Sequence, residues 1–137
     1  MKGSLSEAAQ KSVAAAVKIA GERFGRPVCV AVCDAQGFLA AFHRMDGAFQ
    51  RSINIAIQKA YTAVVMGSST TAFGLRLKNE GLAAAAFCDD KLTPIQGGVP
   101  VVDGDGKIVA GIAVSGLKPE EDEELALAVM KAVGEWL

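Results

Sequence analysis

Two pairs of short apolar segments constrain the fold of this chain most, because a tight turn joins the members of each pair. Residues 28–33 and 38–43 flank an Asp-Ala-Gln-Gly turn, and residues 99–102 and 107–114 flank an Asp-Gly-Asp-Gly turn. Short apolar segments separated by Asp and Gly are typical of β-hairpins. The sequence therefore predicts two hairpins, and hairpins build an antiparallel sheet.

Amphipathic helices are predicted around these hairpins, because apolar residues recur there every three or four positions. The helices are expected at residues 5–24, ended by Gly25; at residues 49–65, stopped by Gly67; at about 70–79; and from Pro119 through Trp136. Their apolar faces must be buried against the sheet. The order helix, hairpin, helices, hairpin, helix predicts one α+β domain over residues 1–137, a sandwich of helices and sheet.

The balance of charge and apolar residues excludes several classes of protein. Fourteen Lys and Arg against fifteen Asp and Glu give a net charge of -1, so no nucleic-acid partner is expected. The longest uncharged stretch, residues 60–75, is short and interrupted by Ser and Thr, so no membrane span is expected. Three cysteines and the lack of an apolar signal-peptide core favour a cytoplasmic protein. An apolar content of 51% favours self-association.

Common cofactor and metal signatures are missing from the sequence. It has no P-loop, no GxGxxG after a strand and no CxxC. Cys29 and Cys33 lie four residues apart on a predicted strand, about 13 Å at the strand rise, which is too far for one metal ion. We therefore expect no metal site, and we interpret both cysteines as small buried hydrophobic residues.

His43 is the only histidine, and it stands at the end of a predicted strand. It is either a solvated edge residue or a functional imidazole, acting as an axial haem ligand or a general base. Met45 is a candidate for a second, soft ligand. A site with two histidines cannot form within one chain.

Four other polar residues admit both a structural and a functional interpretation. Arg44 and Asp46 flank a turn, where Asp46 is either a helix N-cap paired with Arg44 or part of a site. Lys59 either extends outward into solvent or is held at a site. Ser115 belongs either to a strand-ending turn or to an anion site before the last helix.

These residues fall within segments that together resemble the GlcG/HbpS family. The segments are Arg44–Ala48, Lys59–Ala63, Gly97–Pro100 and Gly111–Gly116, followed by Asp122. The resemblance implies a profilin-like α-β-α sandwich, in which a five-stranded antiparallel sheet is flanked by helices. The fifth strand would be a short one around residues 93–96. The resemblance also implies a dimer or an octamer, in agreement with the apolar content.

The family resemblance favours a cytoplasmic haem- or small-ligand-binding protein, accessory to the catabolism of a small metabolite. In a tetrapyrrole site, His43 or Met45 would ligate the iron, and Arg44 or Lys59 would face the carboxylates. Two chains could share one haem across an interface.

Two alternatives remain open at the level of the sequence. In an enzyme for a small carboxylate or carbonyl compound, Arg44 would hold the carboxylate and Asp46 or His43 would move protons. Backbone N–H groups at Gly97 and Gly98 would stabilise an oxyanion near Lys59. In a structural oligomer without a ligand, the glycines serve turns and the polar residues serve as caps.

Overall fold

Both predicted hairpins form, and they join in one antiparallel sheet in the computed structural model, which describes residues 4–134 and Trp136. The helices are α1 (Leu5–Ile19), α2 (Arg51–Val65), α3 (Thr70–Glu80) and α4 (Pro119–Val133). The strands are β1 (Cys29–Asp34), β2 (Leu39–Arg44), β3 (Gly98–Val102) and β4 (Ile108–Ser115). The strand order is β2-β1-β4-β3. The predicted α+β class is confirmed.

Helices cover both faces of the sheet, because alternate residues of β1 and β4 point in opposite directions. On one face, valines of β1 and β4 pack in a core that includes apolar residues of α1 and α4. On the other face, Cys29, Ala31, Cys33 and Ala113 pack against alanines of α2. Small residues on this second face let α2 lie close to the sheet. That closeness positions the side chains of α2 over the end of β4.

The fifth strand expected around residues 93–96 is absent, and the described residues form a sheet of four strands. The backbone N–H of Thr93 donates to Thr62 Oγ1 at 3.0 Å, and that of Ile95 donates to Thr93 Oγ1 at 3.3 Å. Pro94 has no N–H to donate. Since these N–H groups are bound by hydroxyls or missing, the segment cannot join a strand ladder.

Several element ends differ from the sequence prediction. The first helix continues as a π-helical turn, Ala20–Phe24, and Gly25 ends it in the left-handed conformation, as predicted. Asp46 does not cap α2, which begins at Arg51 with Gln50 as its N-cap residue. The last helix ends before Trp136, but this side chain is still buried, and its indole N–H donates to the Met130 carbonyl.

The sequence predicts no signal-peptide core at the N-terminus. That prediction rests partly on residues 1–3, which lie outside the described residues. Within residues 4–134 and 136, no helix combines the length and the apolar character needed to cross a membrane.

The three cysteines predict a labelling pattern that reports on the α2 side of the core. Cys29 and Cys33 are buried, as the sequence indicated, whereas Cys88 is exposed. Burial raises the pKa of the Cys29 thiol and raises that of Cys33 to about 12. Because the thiolate is the reactive form, iodoacetamide at neutral pH should alkylate Cys88 alone in the native protein. Mass spectrometry should show no adduct on Cys88→Ser, and rapid labelling of Cys29 or Cys33 would contradict this packing.

Candidate functional site

Lys59 is buried beneath the sheet's end and does not extend into solvent. Its side chain is 1% exposed, and Nζ donates to the Val114 carbonyl at 2.8 Å and to Asp122 Oδ2 at 3.1 Å. The outward-pointing interpretation of Lys59 is therefore wrong. The reason is the close approach of α2 to the sheet, which covers that side of the helix.

Asp122 connects Lys59 to the start of α4. Its Oδ2 accepts from Lys59, and its Oδ1 accepts from the Leu117 N–H at 2.9 Å. Burial raises the pKa of Asp122 and lowers that of Lys59, and the attraction between the two charges opposes both shifts. The ion pair thus joins α2, the end of β4 and α4 at one point.

Gly97 and Gly98 allow the close approach of Lys59. Gly97 has a φ of +134°, and a Cβ there would lie 2.7 Å from Lys59 Nζ and 2.9 Å from Asp122 Cβ. A Cβ on Gly98 would lie 2.8 Å from the carbonyl carbon of Lys59. The Gly98 N–H donates to Thr70 Oγ1 at 3.0 Å, so it is engaged in the fold rather than aimed at an oxyanion.

A cavity of about 170 Å³ opens beside the ion pair. Of the residues that the sequence singled out, Lys59, Ser115 and Asp122 line it. Arg51 and Ser52, at the start of α2, also line it, and neither was predicted to belong to a site. Their spacing from Lys59 was the available signal, because residues seven and eight positions apart share one face of a helix.

Arg44 and Asp46 lie outside this cavity. Arg44 is exposed, and its Nε donates to the Ala48 carbonyl at 3.1 Å, which closes the turn before α2. Arg44 and Ser115 both pair with Cys29, from opposite sides of β1. Two strand spacings, about 9–10 Å, therefore separate their backbones. Asp46 is exposed in the same turn.

Met45 and His43 differ in how far the fold engages them. Met45 is partly buried, and its Sδ accepts from the Val28 N–H at 3.4 Å, so its sulphur serves the fold. His43 is exposed on β2, an edge strand, and pairs with Val30. Within the described part of the chain, no hydrogen bond holds its imidazole. His43 is thus accessible to a ligand, whereas the Met45 sulphur already accepts a hydrogen bond within the fold.

The hairpin that carries His43 also exposes large apolar side chains. Phe38 is 71% exposed and Leu39 is 49% exposed. Both line an open groove of about 360 Å³, together with Ile57, Tyr61 and Lys91. The groove lies on the α2 side of the sheet, whereas His43 points to the α1 side with Val30. Among the described residues, no group of three or more His, Cys, Asp or Glu side chains could hold a metal ion.

An antiparallel sheet between two helical layers, with a buried Lys–Asp pair at one end, defines a class of small α+β protein, and comparison identifies the family. The model of the haem-degrading HbpS-like proteins matches residues 5–131. The chain therefore belongs to the HbpS-like family, and the resemblance seen in the sequence is confirmed.

Three relatives illustrate the likeness. An uncharacterised 15.0 kDa protein of the dhaT-dhaS intergenic region of Citrobacter freundii is 30% identical, over 93% of this chain and 91% of that protein. A double mutant of HbpS from Streptomyces reticuli is 35% identical, with a TM-score of 0.85, over 98% of this chain and 90% of the other. The haem complex of PduOC is 27% identical, with a TM-score of 0.83, over 93% of each chain.

Proposed function

We propose that this protein binds haem, or a closely related tetrapyrrole, with His43 as an axial ligand. The observation that carries the proposal is the accessible imidazole of His43 on the open edge of the sheet. An imidazole is a common axial ligand of haem iron. The likeness to a haem complex over 93% of both chains supports the same conclusion.

The residues around His43 fit one side of a haem site. Arg44 is the next residue, and its exposed guanidinium is available to a propionate carboxylate. The cavity beside Lys59, at about 170 Å³, is smaller than the 300–1,000 Å³ usual for larger ligands. It does not include His43 among its lining residues. We therefore infer that a second copy of the chain supplies the other wall, so that two protomers share the haem.

The β2 edge and the hairpin that carries it also support self-association. Among the described residues no strand pairs with the outer side of β2, and Phe38 and Leu39 at the start of this strand are exposed. Such edges are ready to pair with another chain. We propose a dimer that can build an octamer, acting in the cytoplasm as an accessory to the catabolism of a small metabolite. The free cysteines and the small net charge are compatible with that location.

A titration of the protein with hemin, followed in the Soret region, tests this proposal. The wild type should show a saturable spectral change at one haem per two chains, because the proposed site is shared. His43→Ala should abolish the change or shift the Soret maximum, because the imidazole is the proposed ligand. The assembly size of both proteins should be measured alongside by light scattering.

The control for this titration is Lys107→Ala, which removes an exposed cation from the β3–β4 turn. It should bind hemin as the wild type does. Saturable binding that His43→Ala leaves unchanged would place the ligand elsewhere and reject His43. Unsaturable binding by the wild type would reject the haem proposal as a whole.

A further inference from the structure

The cavity beside Lys59 has the features of a binding site that is separate from His43. It is walled by α2, by the loop after β4 and by the start of α4, and it contains both charged and hydroxyl groups. We propose that this cavity binds a small monocarboxylate that carries a hydroxyl or carbonyl group next to the carboxylate. The charge, the hydroxyl groups and the size of the cavity all favour such a ligand.

The charges that line the cavity favour a ligand with one negative charge. Lys59 and Asp122 neutralise each other in their ion pair. Arg51 adds a positive charge, and its guanidinium lies 4.3 Å above the ring of Phe49, which also lines the cavity. Stacking on an aromatic ring restricts an arginine side chain and leaves the edge of its guanidinium free for hydrogen bonds. Arg51 is therefore the group that would hold a carboxylate.

Two hydroxyl groups that line the cavity favour an oxygen atom next to the carboxylate. Ser52 is 3% exposed and Ser115 is 5% exposed, and both line the cavity. No hydrogen bond joins either Oγ atom to another residue in the described ranges. None of the described side-chain N or O atoms is both fully buried and without a partner, so these two hydroxyls are open to the cavity, where water can bond them. A ligand hydroxyl or carbonyl oxygen would replace that water.

The size and the remaining walls limit the ligand further. At about 30 Å³ for each water-sized group, a volume of about 170 Å³ holds roughly six non-hydrogen atoms. Ile95 and Leu117 provide apolar surface for a short alkyl group. Lactate has this size, one carboxylate, a neighbouring hydroxyl and a methyl group, so it is a suitable probe.

The test is a titration of the isotope-labelled protein with lactate, followed by amide chemical shifts. Saturable shifts are expected at Ser52, Ser115 and Gly116. Lactamide, a neutral molecule of the same shape, should bind at least about tenfold more weakly, because it lacks the charge that pairs with Arg51. Arg51→Met should weaken lactate binding by a similar factor, and Ser115→Ala should weaken it to a smaller extent.

The matched control is Arg23→Met, because Arg23 also lies over an aromatic ring, that of Phe24, but does not line the cavity. It should bind lactate as the wild type does. His43→Ala should also bind normally, so failure of the haem proposal and failure of this one can be told apart. No saturable shift with lactate, equal affinity for lactamide, or normal binding by Arg51→Met would each overturn the proposal.

Discussion

Lys59→Met is expected to lower the free energy of unfolding by about 3–5 kcal/mol at neutral pH, the usual effect of removing one member of a buried ion pair. Methionine retains most of the buried stem, but it cannot donate to the Val114 carbonyl or to Asp122. The carboxylate of Asp122 would remain buried, with only backbone N–H groups, those of Leu117 and Gly116, as partners among the described residues. Urea denaturation of the wild type and the variant measures the difference.

The loss caused by Lys59→Met should depend on pH with a definite sign. In the folded protein burial raises the pKa of Asp122, and the positive charge of Lys59 opposes part of that rise. Without that charge, the folded-state pKa of Asp122 rises further, while the unfolded value stays near 3.8. The folded variant then binds more protons than the unfolded chain between the two values. The destabilisation is therefore complete above the folded-state pKa and decreases as the pH falls through it toward 3.8.

Two further variants separate the ion pair from general effects of the substitution. Lys78→Met changes an exposed lysine of α3 and should alter stability by no more than about 0.5 kcal/mol. Lys59→Met combined with Asp122→Leu should recover part of the loss, because no charge stays buried, although the Leu117 N–H loses its partner at a cost of about 1–3 kcal/mol. If Lys59→Met were as stable as Lys78→Met, the pair would not support the fold.

The hairpins and helices were predictable because their signals are local. Turn residues between apolar segments indicated both hairpins, and Gly25 ended the first helix where its conformational freedom predicted. The prediction of a strand around residues 93–96 was wrong, because the backbone N–H groups of Thr93 and Ile95 bind side-chain hydroxyls instead of a neighbouring strand. One of those partners, Thr62 Oγ1, lies 31 positions away in the chain. Such a contact has no local signature.

The candidate site was predictable only in part, for the same reason. Lys59 stood out as a charge within an apolar helix, but its partner Asp122 lies 63 positions further along the chain. Arg44 was the predicted carboxylate-binding residue, but the cavity lies on the other side of β1, where Arg51 lines it. Pairing of strands and packing of α2 decide which cation faces the cavity. Neither can be read from residue spacing alone.

Gly98→Ala is expected to lower the free energy of unfolding by about 3 kcal/mol, at the upper end of the usual effect of overpacking. The new Cβ would lie 2.8 Å from the carbonyl carbon of Lys59 and 2.9 Å from Thr70 Cγ2, and it would also contact the Lys59 carbonyl oxygen. The backbone of α2 cannot move aside as a flexible side chain can, so β3 and α2 must separate. Thermal and urea denaturation of the variant measure this effect.

Gly104→Ala is the matched control, because a Cβ at that position in the β3–β4 turn meets nothing within 4 Å. It should change the stability by no more than about 0.5 kcal/mol. Because Gly98 does not adopt a positive φ, a large loss in Gly98→Ala would come from the steric contact with α2 rather than from backbone strain. Equal stability of the two variants would show that α2 and β3 are not as close as the structure places them. The same separation would displace Lys59, so Gly98→Ala should also weaken lactate binding at the cavity, whereas Gly104→Ala should not.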